Sequence, residues 1–534
     1  MSEAGHLRAA LAAADTDRIV YDLTGIENQY RTLGRELPGV DVRFAMKACP
    51  VDDVLTALAE LGAGFDAASP AEIRQALRAG VRPRRVHYGN TVKSDADLRT
   101  AYRLGITTYA TDCAEDVQAI ARHAPGSRVF CRVPTSGAGA VWGLTAKCGS
   151  DDPIGVLELA RSLGLVPAGL SLHVGSQQMT AGGWTAALES LAALLPRLRA
   201  RGIHLDHVNL GGGLPAAGYP GLTPPTAEIF AAVRAGMRRL RQAAGGDLGF
   251  VIEPGRYLVA DHGVIRAEVA RLTERRERWL YLSCGRFNGL YEGDRLRYRL
   301  EFPTRDGGSR APAVVAGPSC DSDDVLNGGT AVPVPAGLAS GDPVWIHAAG
   351  AYATSYTTVG FNGFAPLPCE TVRAERFRPI AGPDWSTIAA LESEAYGKQG
   401  LSERPEALRS RAGAGTSFVL DTGDRVGGYL LALPYPRFRF PDLSQPETTG
   451  FQSANLHLHD LVIDPELRGR GWGARLVRHL AGTARSRSYD RISLVAVDGS
   501  AGFWAARGFR PHPEVPLPAS YGPDAVYMSR DLDG

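Results

Sequence analysis

The sequence is poor in the features that mark several classes of protein. Its seven cysteines are scattered over 534 residues and form no Cys-x-x-Cys pair, which argues against a disulfide framework or structural zinc and favours a reducing compartment. The formal net charge is only +1, so no global charge indicates nucleic acid or an anionic membrane as a partner. No apolar run reaches the about 18 residues of a spanning helix, and no signal peptide is apparent. We therefore expect a cytoplasmic protein with no membrane partner, no nucleic-acid partner and no bound metal.

The hydrophobic pattern over about residues 22–257 is that of an α/β domain. Strand-like runs alternate with amphipathic helical segments, and with the strand that carries Lys47 they make eight β-α units. Eight units within about 250 residues are typical of a TIM barrel, and a doubly wound sheet is the other α/β possibility. The other seven runs end at Asp66, Asn90, Asp112, Arg132, His173, Asn209 and Glu253.

The ends of these strands favour one of the two folds. Most of them carry a polar residue or a glycine, and the carboxyl ends of all barrel strands share one rim. Side chains that are remote in sequence would then converge on one site. The pattern therefore predicts a (β/α)8 barrel with these residues on its rim: Lys47, Asp66, Asn90, His173, Gly211 and Glu253.

Two changes of pattern divide the rest of the chain. About residues 258–372 read as short alternating strands between prolines and glycines, typical of a β-barrel or β-sandwich, and the strand Ile19–Asp22 can join it. From about residue 373 a mixed α+β pattern continues to residue 534. The predicted domains are therefore 1–372, containing the barrel and the β-domain, and 373–534, with a boundary near Val372.

Lys47 ends an apolar, β-rich run and is followed closely by Pro50. A lysine at the end of a buried strand either extends to solvent or is used chemically. If desolvation lowered its pKa, the amine would be the nucleophile that a Schiff base requires.

The other strand ends carry groups that complement such an amine. Glycines at strand ends let backbone N–H groups approach a phosphate, and Ser176 and Arg256 add donors. The carboxylate of Glu253 could keep a pyridine nitrogen protonated, and the imidazole of His173 could stack on a ring. Together these are the protein groups that pyridoxal phosphate requires.

The motifs that contain these residues resemble the ornithine/lysine decarboxylase family, which are fold type III pyridoxal-phosphate enzymes, and most of all its bacterial members. The resemblance covers residues 20 to 370. It rests on Phe44-Ala45-Met46-Lys47-Ala48, Gly64-Phe65-Asp66-Ala67-Ala68-Ser69, His173-Val174-Gly175-Ser176, Gly211-Gly212-Gly213, Glu253-Pro254-Gly255-Arg256, Gly285-Arg286-Phe287-Asn288-Gly289-Leu290, Gly317-Pro318-Ser319-Cys320-Asp321-Ser322-Asp323-Asp324, Gly350-Ala351-Tyr352 and Phe361-Asn362-Gly363-Phe364.

The resemblance implies roles for individual residues around the cofactor. Lys47 would hold pyridoxal phosphate covalently, Glu253 would pair with the pyridine nitrogen, and His173 would stack on the ring. Asp66 and Glu72 would order Lys47 and its surroundings. The phosphate would be held by Ser176, Gly212, Gly213, Arg256 and Tyr352.

The resemblance also implies a substrate and an assembly. Cys320 would return a proton to Cα after CO₂ leaves, Asp321 would face the distal amine of a basic amino acid, and Asp324 and Tyr352 would also line the substrate site. In this family the Cys320 and Asp321 positions come from the second subunit, which implies a homodimer with shared active sites.

Some positions depart from the family pattern. Within Trp142–Lys147, where an arginine is usual, only Lys147 is basic. Arg286-Phe287 replaces a common Tyr or Lys, and the acid expected after it is either Glu292 or Asp294. These changes leave the chemistry intact and leave the length of the substrate open.

A second constellation begins where the strand Leu458–Ile463 runs into a turn. The glycine-rich turn before the helix Ala474–Leu480 would present free N–H groups to a pyrophosphate. A Rossmann fingerprint fits poorly, because a long loop precedes a single strand–helix unit. Residues 374 to 532 resemble the GNAT acetyltransferases, which implies acyl-CoA (acetyl-CoA or another) bound by Leu461, Val462, Ile463, Arg468, Gly469, Arg470, Gly471, Trp472 and Gly473.

One departure affects the chemistry of this second half. Trp504 stands where many members have a tyrosine general acid, so Tyr521 or Tyr527 would substitute, or the thiolate would leave unassisted. His459 or Asp460 would be the base, directly or through water, unless both simply orient the strand.

The leading hypothesis is a bifunctional enzyme. The first half would decarboxylate ornithine, lysine or a near relative to a diamine, with Lys47, Cys320, His173 and Glu253 catalytic. The second half would acylate an amine, and the diamine made by the first half is the expected acceptor. The alternatives are a racemase of the same fold, against which Glu253 and Cys320 argue, and a non-catalytic second half that senses acyl-CoA.

Overall fold

A computed structural model describes residues 5–143, 147–305, 308–397, 400–423 and 425–532. It divides into two compact units, Met1–Val372 and Arg373–Gly534, each described by itself below. Across those ranges, no helix is both long enough and apolar enough to cross a membrane.

The first unit contains the predicted TIM barrel. Its eight strands pair in parallel, and the circle closes where Val251 pairs with Asp41. In the order of the chain, the barrel strands are β2 Asp41–Ala45, β3 Gly64–Ala67, β4 Val86–Tyr88, β5 Thr108–Thr111, β6 Arg128–Arg132, β8 Val166–Ser171, β10 His207–Asn209 and β11 Gly249–Ile252. A separate antiparallel pair, β7 Ala140–Trp142 and β9 Ser176–Gln178, follows two of them.

Helices follow most of the barrel strands, and their sequences explain where they begin. Ser69 caps one of them by accepting a hydrogen bond from the N–H of Glu72, and Pro70 occupies its first turn. Apolar residues at helical spacing, such as Ile73 and Ala76, are buried against the barrel. The helices of this unit are α1 Gly5–Ala13, α2 Leu23–Glu36, α3 Asp52–Glu60, α4 Pro70–Arg78, α5 Asp95–Arg103, α6 Ala114–His123, α7 Pro153–Ser162, α8 Ala181–Arg199, α9 Thr226–Ala244 and α10 Arg256–Val259.

A mixed sheet completes the first unit. The N-terminal strand β1, Arg18–Asp22, lies in this sheet, antiparallel to β12, Gly263–Glu274, and parallel to β18, Cys369–Val372. The sheet is therefore built from both ends of the unit, with the barrel between them in sequence. Its other strands are β12 Gly263–Glu274, β13 Arg278–Leu282, β14 Leu300–Glu301, β15 Arg310–Ala316, β16 Val332–Pro335, β17 Pro343–Ile346 and β18 Cys369–Val372.

The second unit is an α+β domain built on one seven-stranded sheet. Its strands are β19 Arg376–Pro379, β20 Phe418–Asp421, β21 Val426–Pro434, β22 Asn455–Ile463, β23 Arg491–Ala496, β24 Arg510–Pro511 and β25 Val526–Asp531, and its helices are α11 Trp385–Tyr396, α12 Pro405–Ser410, α13 Trp472–Ser486 and α14 Ala501–Ala505. In the sheet the strands lie in the order β19-β20-β21-β22-β23-β25-β24. Strands β22 and β23 pair in parallel only from Asn455 to Leu458. Beyond Leu458 they diverge, which opens a cleft in the middle of the sheet.

Candidate active sites

Lys47 lies at the carboxyl end of β2, where the strand passes into a short 3₁₀ turn over Met46–Ala48. Its side chain lines a cavity at the mouth of the barrel. Lys47 is also exposed to solvent, so water reaches the amine. The backbone of this turn is fixed from outside, since Ser355 donates to the carbonyl of Lys47 at 2.6 Å and Tyr352 donates to that of Ala48 at 2.7 Å. The cavity is lined by Ala45, Lys47, His173, Ser176, Gln177, Gly212, Gly213, Leu214, Glu253, Gly255, Arg256 and Tyr352.

The pKa of Lys47 is raised, whereas the sequence analysis considered a pKa lowered by desolvation. Burial alone would lower it, but the acidic groups of Tyr352, Asp66 and Glu253 outweigh burial and raise it above its usual value. The expectation that desolvation would release a free amine is therefore wrong for this arrangement. The acidic groups around the amine, Tyr352 before Asp66 and Glu253, favour its ammonium form.

Glu253 follows β11 directly and points into the same cavity. Burial would raise its pKa, but the contact with His87 and the amide of Asn209 lower it to about 2. Both partners contact Oε1, and no side chain in the described ranges hydrogen-bonds to Oε2. An ionised carboxylate with one free oxygen facing a cavity suits a protonated pyridine nitrogen.

His173 presents a neutral imidazole to the cavity. Its Nδ1 accepts a hydrogen bond from the N–H of Gly175 at 3.0 Å, which fixes the ring. Burial, with the positive charges of Lys47 and Arg132, lowers its pKa to about 3. An uncharged flat ring can stack on an aromatic cofactor without repelling the Lys47 ammonium.

The triple glycine forms a cradle that leaves no room for a side chain. A Cβ on Gly213, where φ is +112°, would lie 2.5 Å from the carbonyl oxygen of Gly175. Within the described ranges, nothing accepts a hydrogen bond from the N–H of Gly212 or Gly213. Free N–H groups beside Ser176 and Arg256 are the donor set of a phosphate site, so the cavity fits pyridoxal phosphate.

Arg256 is held in place by Glu292, a contact that the sequence does not predict. Both carboxylate oxygens of Glu292 accept from it at 2.7 Å, and the Tyr219 hydroxyl accepts at 3.1 Å. The rings of Trp142 and Tyr352 lie 4.9 Å from its guanidinium carbon. Glu292, one of the two acids expected after the Arg286-Phe287 motif, is therefore buried and engaged with Arg256.

Asp66 and Glu72 lie behind Lys47 rather than in the lining of the cavity. Glu72 accepts from the N–H of Ala68 at 2.6 Å and completes the start of α4. Asp66 contacts His87, a residue that sequence reasoning missed, with Oδ1 3.2 Å from Nε2. Asp66 and His87 occupy paired positions on β3 and β4, a register that the sequence alone does not reveal.

Cys320 and Asp321 lie in the loop after β15, and neither lines the Lys47 cavity. Cys320 is exposed, and its Sγ lies 3.4 Å from Oδ1 of Asn362. Asp324, predicted as a substrate contact, is buried, and its oxygens accept from the N–H of Arg286 and from both the N–H and hydroxyl of Ser319. Asp324 therefore shapes the loop that presents Cys320 and Asp321, and we do not retain it as a substrate contact.

The departure predicted within Trp142–Lys147 falls partly on residues 144–146, which lie outside the described residues. Asp294, the alternative acid after the Arg286-Phe287 motif, is 3.7 Å from the guanidinium of Arg286.

The cleft between β22 and β23 is a cavity of about 670 Å³. Most of the residues predicted to bind acyl-CoA line it: Leu461, Val462, Ile463, Arg468, Gly469, Gly471, Trp472 and Gly473. Arg470 is not among its lining residues, and Arg468 donates from Nε to the carbonyl of Ile463 at 3.0 Å.

The glycines of this loop have different tasks. Gly469 and Gly471 adopt φ of +77° and +81°, so the tight turn lies at these two positions. Gly473 is already inside α13, and a Cβ there would lie 3.3 Å from Cζ of Phe503. The helix therefore begins before the predicted Ala474, and the missing side chain of Gly473 leaves room for Phe503 rather than turning the backbone.

His459 and Asp460 differ sharply as candidate bases. Asp460 accepts from the hydroxyls of Tyr396 and Tyr429, and burial raises its pKa. His459 lines the cleft, with Nε2 2.5 Å from a carboxylate oxygen of Glu403, which in turn pairs with the buried Arg411.

The two tyrosines considered as general acids differ in their position relative to the cleft. Tyr521 and Trp504 line the cleft, whereas Tyr527 does not. The hydroxyl of Tyr521 donates to the carbonyl of Pro441 at 2.6 Å, and the hydroxyl of Tyr527 accepts from the N–H of Phe438 at 3.0 Å.

Comparison with known families matches both units. Residues 23–260 match the pyridoxal binding domain of the pyridoxal-dependent decarboxylases, and residues 385–509 match the GNAT acetyltransferase family. The lysine/ornithine decarboxylase of Selenomonas ruminantium is 30% identical over 359 residues, covering 66% of this chain and 88% of that protein. A diaminopimelate decarboxylase of Pseudomonas fluorescens is 31% identical, covering 65% of this chain and 86% of the relative.

Solved structures give the same result for the first unit. A crystal structure of lysine decarboxylase from Selenomonas ruminantium aligns with a TM-score of 0.62 at 28% identity, covering 68% of this chain and 94% of that one. A lysine/ornithine decarboxylase from Vibrio vulnificus, complexed with putrescine, aligns with a TM-score of 0.61 at 26% identity and covers 68% and 97%.

Proposed function

The chain belongs to the pyridoxal-dependent decarboxylases, with a GNAT acetyltransferase domain after the decarboxylase, and from this premise we propose that the two halves act in succession on one metabolite. The first unit is a pyridoxal-phosphate-dependent decarboxylase of diamino acids, and the second uses acyl-CoA. Our proposal is that lysine or ornithine is the substrate of the first and that the resulting diamine is acylated by the second.

Glu253 is the observation that carries the decarboxylase assignment. Bound pyridoxal phosphate supplies an electron sink for the electron pair that remains when CO₂ departs. The ionised carboxylate of Glu253 would keep the proton at the pyridine nitrogen, and the imidazole of His173 would cover one face of the ring. Arg256, fixed by Glu292, and the N–H groups of Gly212 and Gly213 would bind the phosphate.

Substrate selection and reprotonation are assigned to the loop after β15. The Asp321 carboxylate complements the distal ammonium of a diamino acid, and the Cys320 thiol returns a proton to Cα. Since one chain does not bring this loop to Lys47, both residues would reach the site of a second subunit in a homodimer. The exposed position of Cys320 supports this arrangement.

Subunit mixing tests the shared site. Lys47→Ala and Cys320→Ala should each be inactive alone, and exchange of subunits should restore up to about a quarter of full activity, because random pairing in a two-fold dimer gives one intact site in half of the dimers. No recovery after demonstrated exchange would place both residues in one chain's site.

For the second unit, the geometry favours His459 as the base. Glu403 and Arg411 hold the imidazole at the edge of the cleft, so it can take the proton of the acceptor amine as nitrogen bonds to the acyl carbon and the CoA thiolate leaves. The indole of Trp504 cannot protonate the departing CoA thiolate, and we propose that the thiolate leaves without help from a tyrosine acid. His459→Gln should then slow acylation while acyl-CoA binding is kept.

A substrate panel tests the proposal as a whole. CO₂ release should be fastest from lysine or ornithine among lysine, ornithine, arginine, diaminobutyrate and diaminopimelate. Conversion of an L-amino acid to its D-form without CO₂ would instead indicate the racemase. No turnover of any of them by the cofactor-loaded protein would reject the decarboxylase assignment.

A further inference from the structure

His87 is a buried residue of the barrel interior to which the reaction described above gives no task. It lies in the middle of β4, is 4% exposed, and its ring packs 5.2 Å from that of Phe130. Its Nε2 is 3.0 Å from Oε1 of Glu253 and 3.2 Å from Oδ1 of Asp66. Neither contact has the alignment of a straight hydrogen bond, so the N–H lies between two carboxylates that it contacts ionically.

The two carboxylates need a cation between them. Ligand atoms of Asp66, His87 and Glu253 all lie within 4.8 Å of one another. Repulsion between two buried carboxylates at such a spacing would raise the pKa of one of them and favour its protonated form. The amine of Lys47 also acts on both carboxylates, but only through its charge and from the cavity where it would hold the cofactor. His87 contacts both carboxylates directly.

We infer that His87 is a positioning residue of the decarboxylase, an interior cation that keeps Glu253 ionised and thereby keeps the pyridine nitrogen of the bound cofactor protonated. The pKa of His87 agrees with this placement. Burial would lower it, but Asp66 and Glu253, the charged groups that act on the ring, raise it to about 9. Together with Asn209, His87 occupies Oε1 of Glu253 and leaves Oε2 for the cofactor.

The test is His87→Gln in the full-length, cofactor-loaded protein, and it rests on the assignment of pyridoxal phosphate to this site. The readout is the ¹⁵N chemical shift of the pyridine nitrogen in labelled cofactor, which does not depend on turnover. Wild type should show a protonated nitrogen and His87→Gln a deprotonated one. The kcat should also fall about 10- to 100-fold, which is the loss seen in metal sites when a residue that orients a directly bound side chain is removed. The KM should change less than twofold.

His207→Gln is the matched control. His207 also lies on a barrel strand, its ring is 6.0 Å from Phe130, and it pairs with a carboxylate of its own, Asp206, at 2.9 Å. It does not contact Glu253 in this structure, so its loss should leave the ¹⁵N signal unchanged. A change of equal size in both variants would assign the effect to packing and overturn the inference.

Two further measurements keep the inference falsifiable. If His87→Gln does not fold, ¹⁵N-histidine spectra of the wild-type protein test the same point. His87 should be protonated on both ring nitrogens at pH 7.5, and a neutral ring would overturn the inference. If a chelator alone abolished the protonated pyridine signal, Asp66, His87 and Glu253 would be metal ligands and the inference would fail. Failure of the decarboxylase assignment itself would appear differently, as absence of cofactor on Lys47.

Discussion

The two units build their sites in different ways, and their glycines make the difference visible. In the barrel, a Cβ on Gly213 would lie 2.5 Å from a backbone oxygen. In the second unit, a Cβ on Gly469 or Gly471 would meet nothing within 4 Å, and the site is an open cleft in a sheet. The first arrangement suits a cofactor that stays bound, and the second suits a cosubstrate that must enter and leave.

Lys47→Ala should have the largest effect and should be confined to one unit. Loss of the residue that holds the cofactor covalently is expected to reduce CO₂ release at least about a thousandfold. Acyl-CoA binding, measured by calorimetry, should be unchanged. Borohydride reduction of wild type followed by peptide mapping should find the cofactor on Lys47, and attachment to another lysine would contradict the assignment.

Gly473→Glu should have the reverse effect. The new side chain would press on Phe503 and place a negative charge at the start of α13, facing a polyanionic ligand. Acyl-CoA binding should fall below detection by calorimetry, while CO₂ release stays near the wild-type rate. Gly482→Glu on the exposed part of the same helix is the matched control and should bind normally. Tight binding by Gly473→Glu would show that the loop is misassigned.

Alanine at the two kinds of glycine should separate packing from backbone strain. Gly213→Ala meets a backbone oxygen and a positive φ, and should lower the free energy of unfolding by about 3 kcal/mol or more. Gly471→Ala meets only the positive φ and should cost about 1 to 2 kcal/mol. Denaturant titration of each variant measures the difference, and equal losses would remove the contrast between the units.

Asp321→Ala should weaken turnover of diamino acids at least about tenfold, because a charge-assisted contact contributes about 1.5 to 3 kcal/mol. Cofactor absorbance should be unchanged. Asp324→Ala should instead lower the stability of the loop, since it removes contacts to Arg286 and Ser319. The exposed Asp323→Ala is the control, and unchanged lysine and ornithine turnover in Asp321→Ala would move the distal-amine contact to another residue.

The smallest expected effect is a pH dependence of the stability of the barrel. The folded pKa of His87 is raised from 6.5 to about 9, so its contribution is complete below pH 6.5 and is lost as pH rises to 9. The pKa of Glu253 is lowered from 4.5 to about 2, so its contribution is lost as pH falls through that interval. Amide exchange of β3 and β4 should show the alkaline loss in wild type but not in His87→Gln. An identical alkaline loss in both would assign it to other groups.

Sequence reasoning located residues at the ends of elements better than residues inside them. The barrel could be predicted, with Lys47, His173 and Glu253 meeting at its mouth, because a polar residue ending an apolar run is a visible signal. His87 could not, since a histidine within a short buried strand reads as core. The engagement of Glu292 with Arg256 and the raised pKa of Lys47 depend on contacts between distant loops, which no spacing reveals.

The central claim, that one chain makes a diamine and acylates it, is tested most directly by product analysis. The full-length protein is given uniformly ¹³C-labelled lysine or ornithine together with unlabelled acetyl-CoA, and the products are identified by mass spectrometry. We predict a ¹³C-labelled monoacylated diamine from wild type and only free labelled diamine from Gly473→Glu. Accumulation of free labelled diamine by wild type, with acyl-CoA bound but unconsumed, would contradict the claim and leave the second unit as a sensor of acyl-CoA.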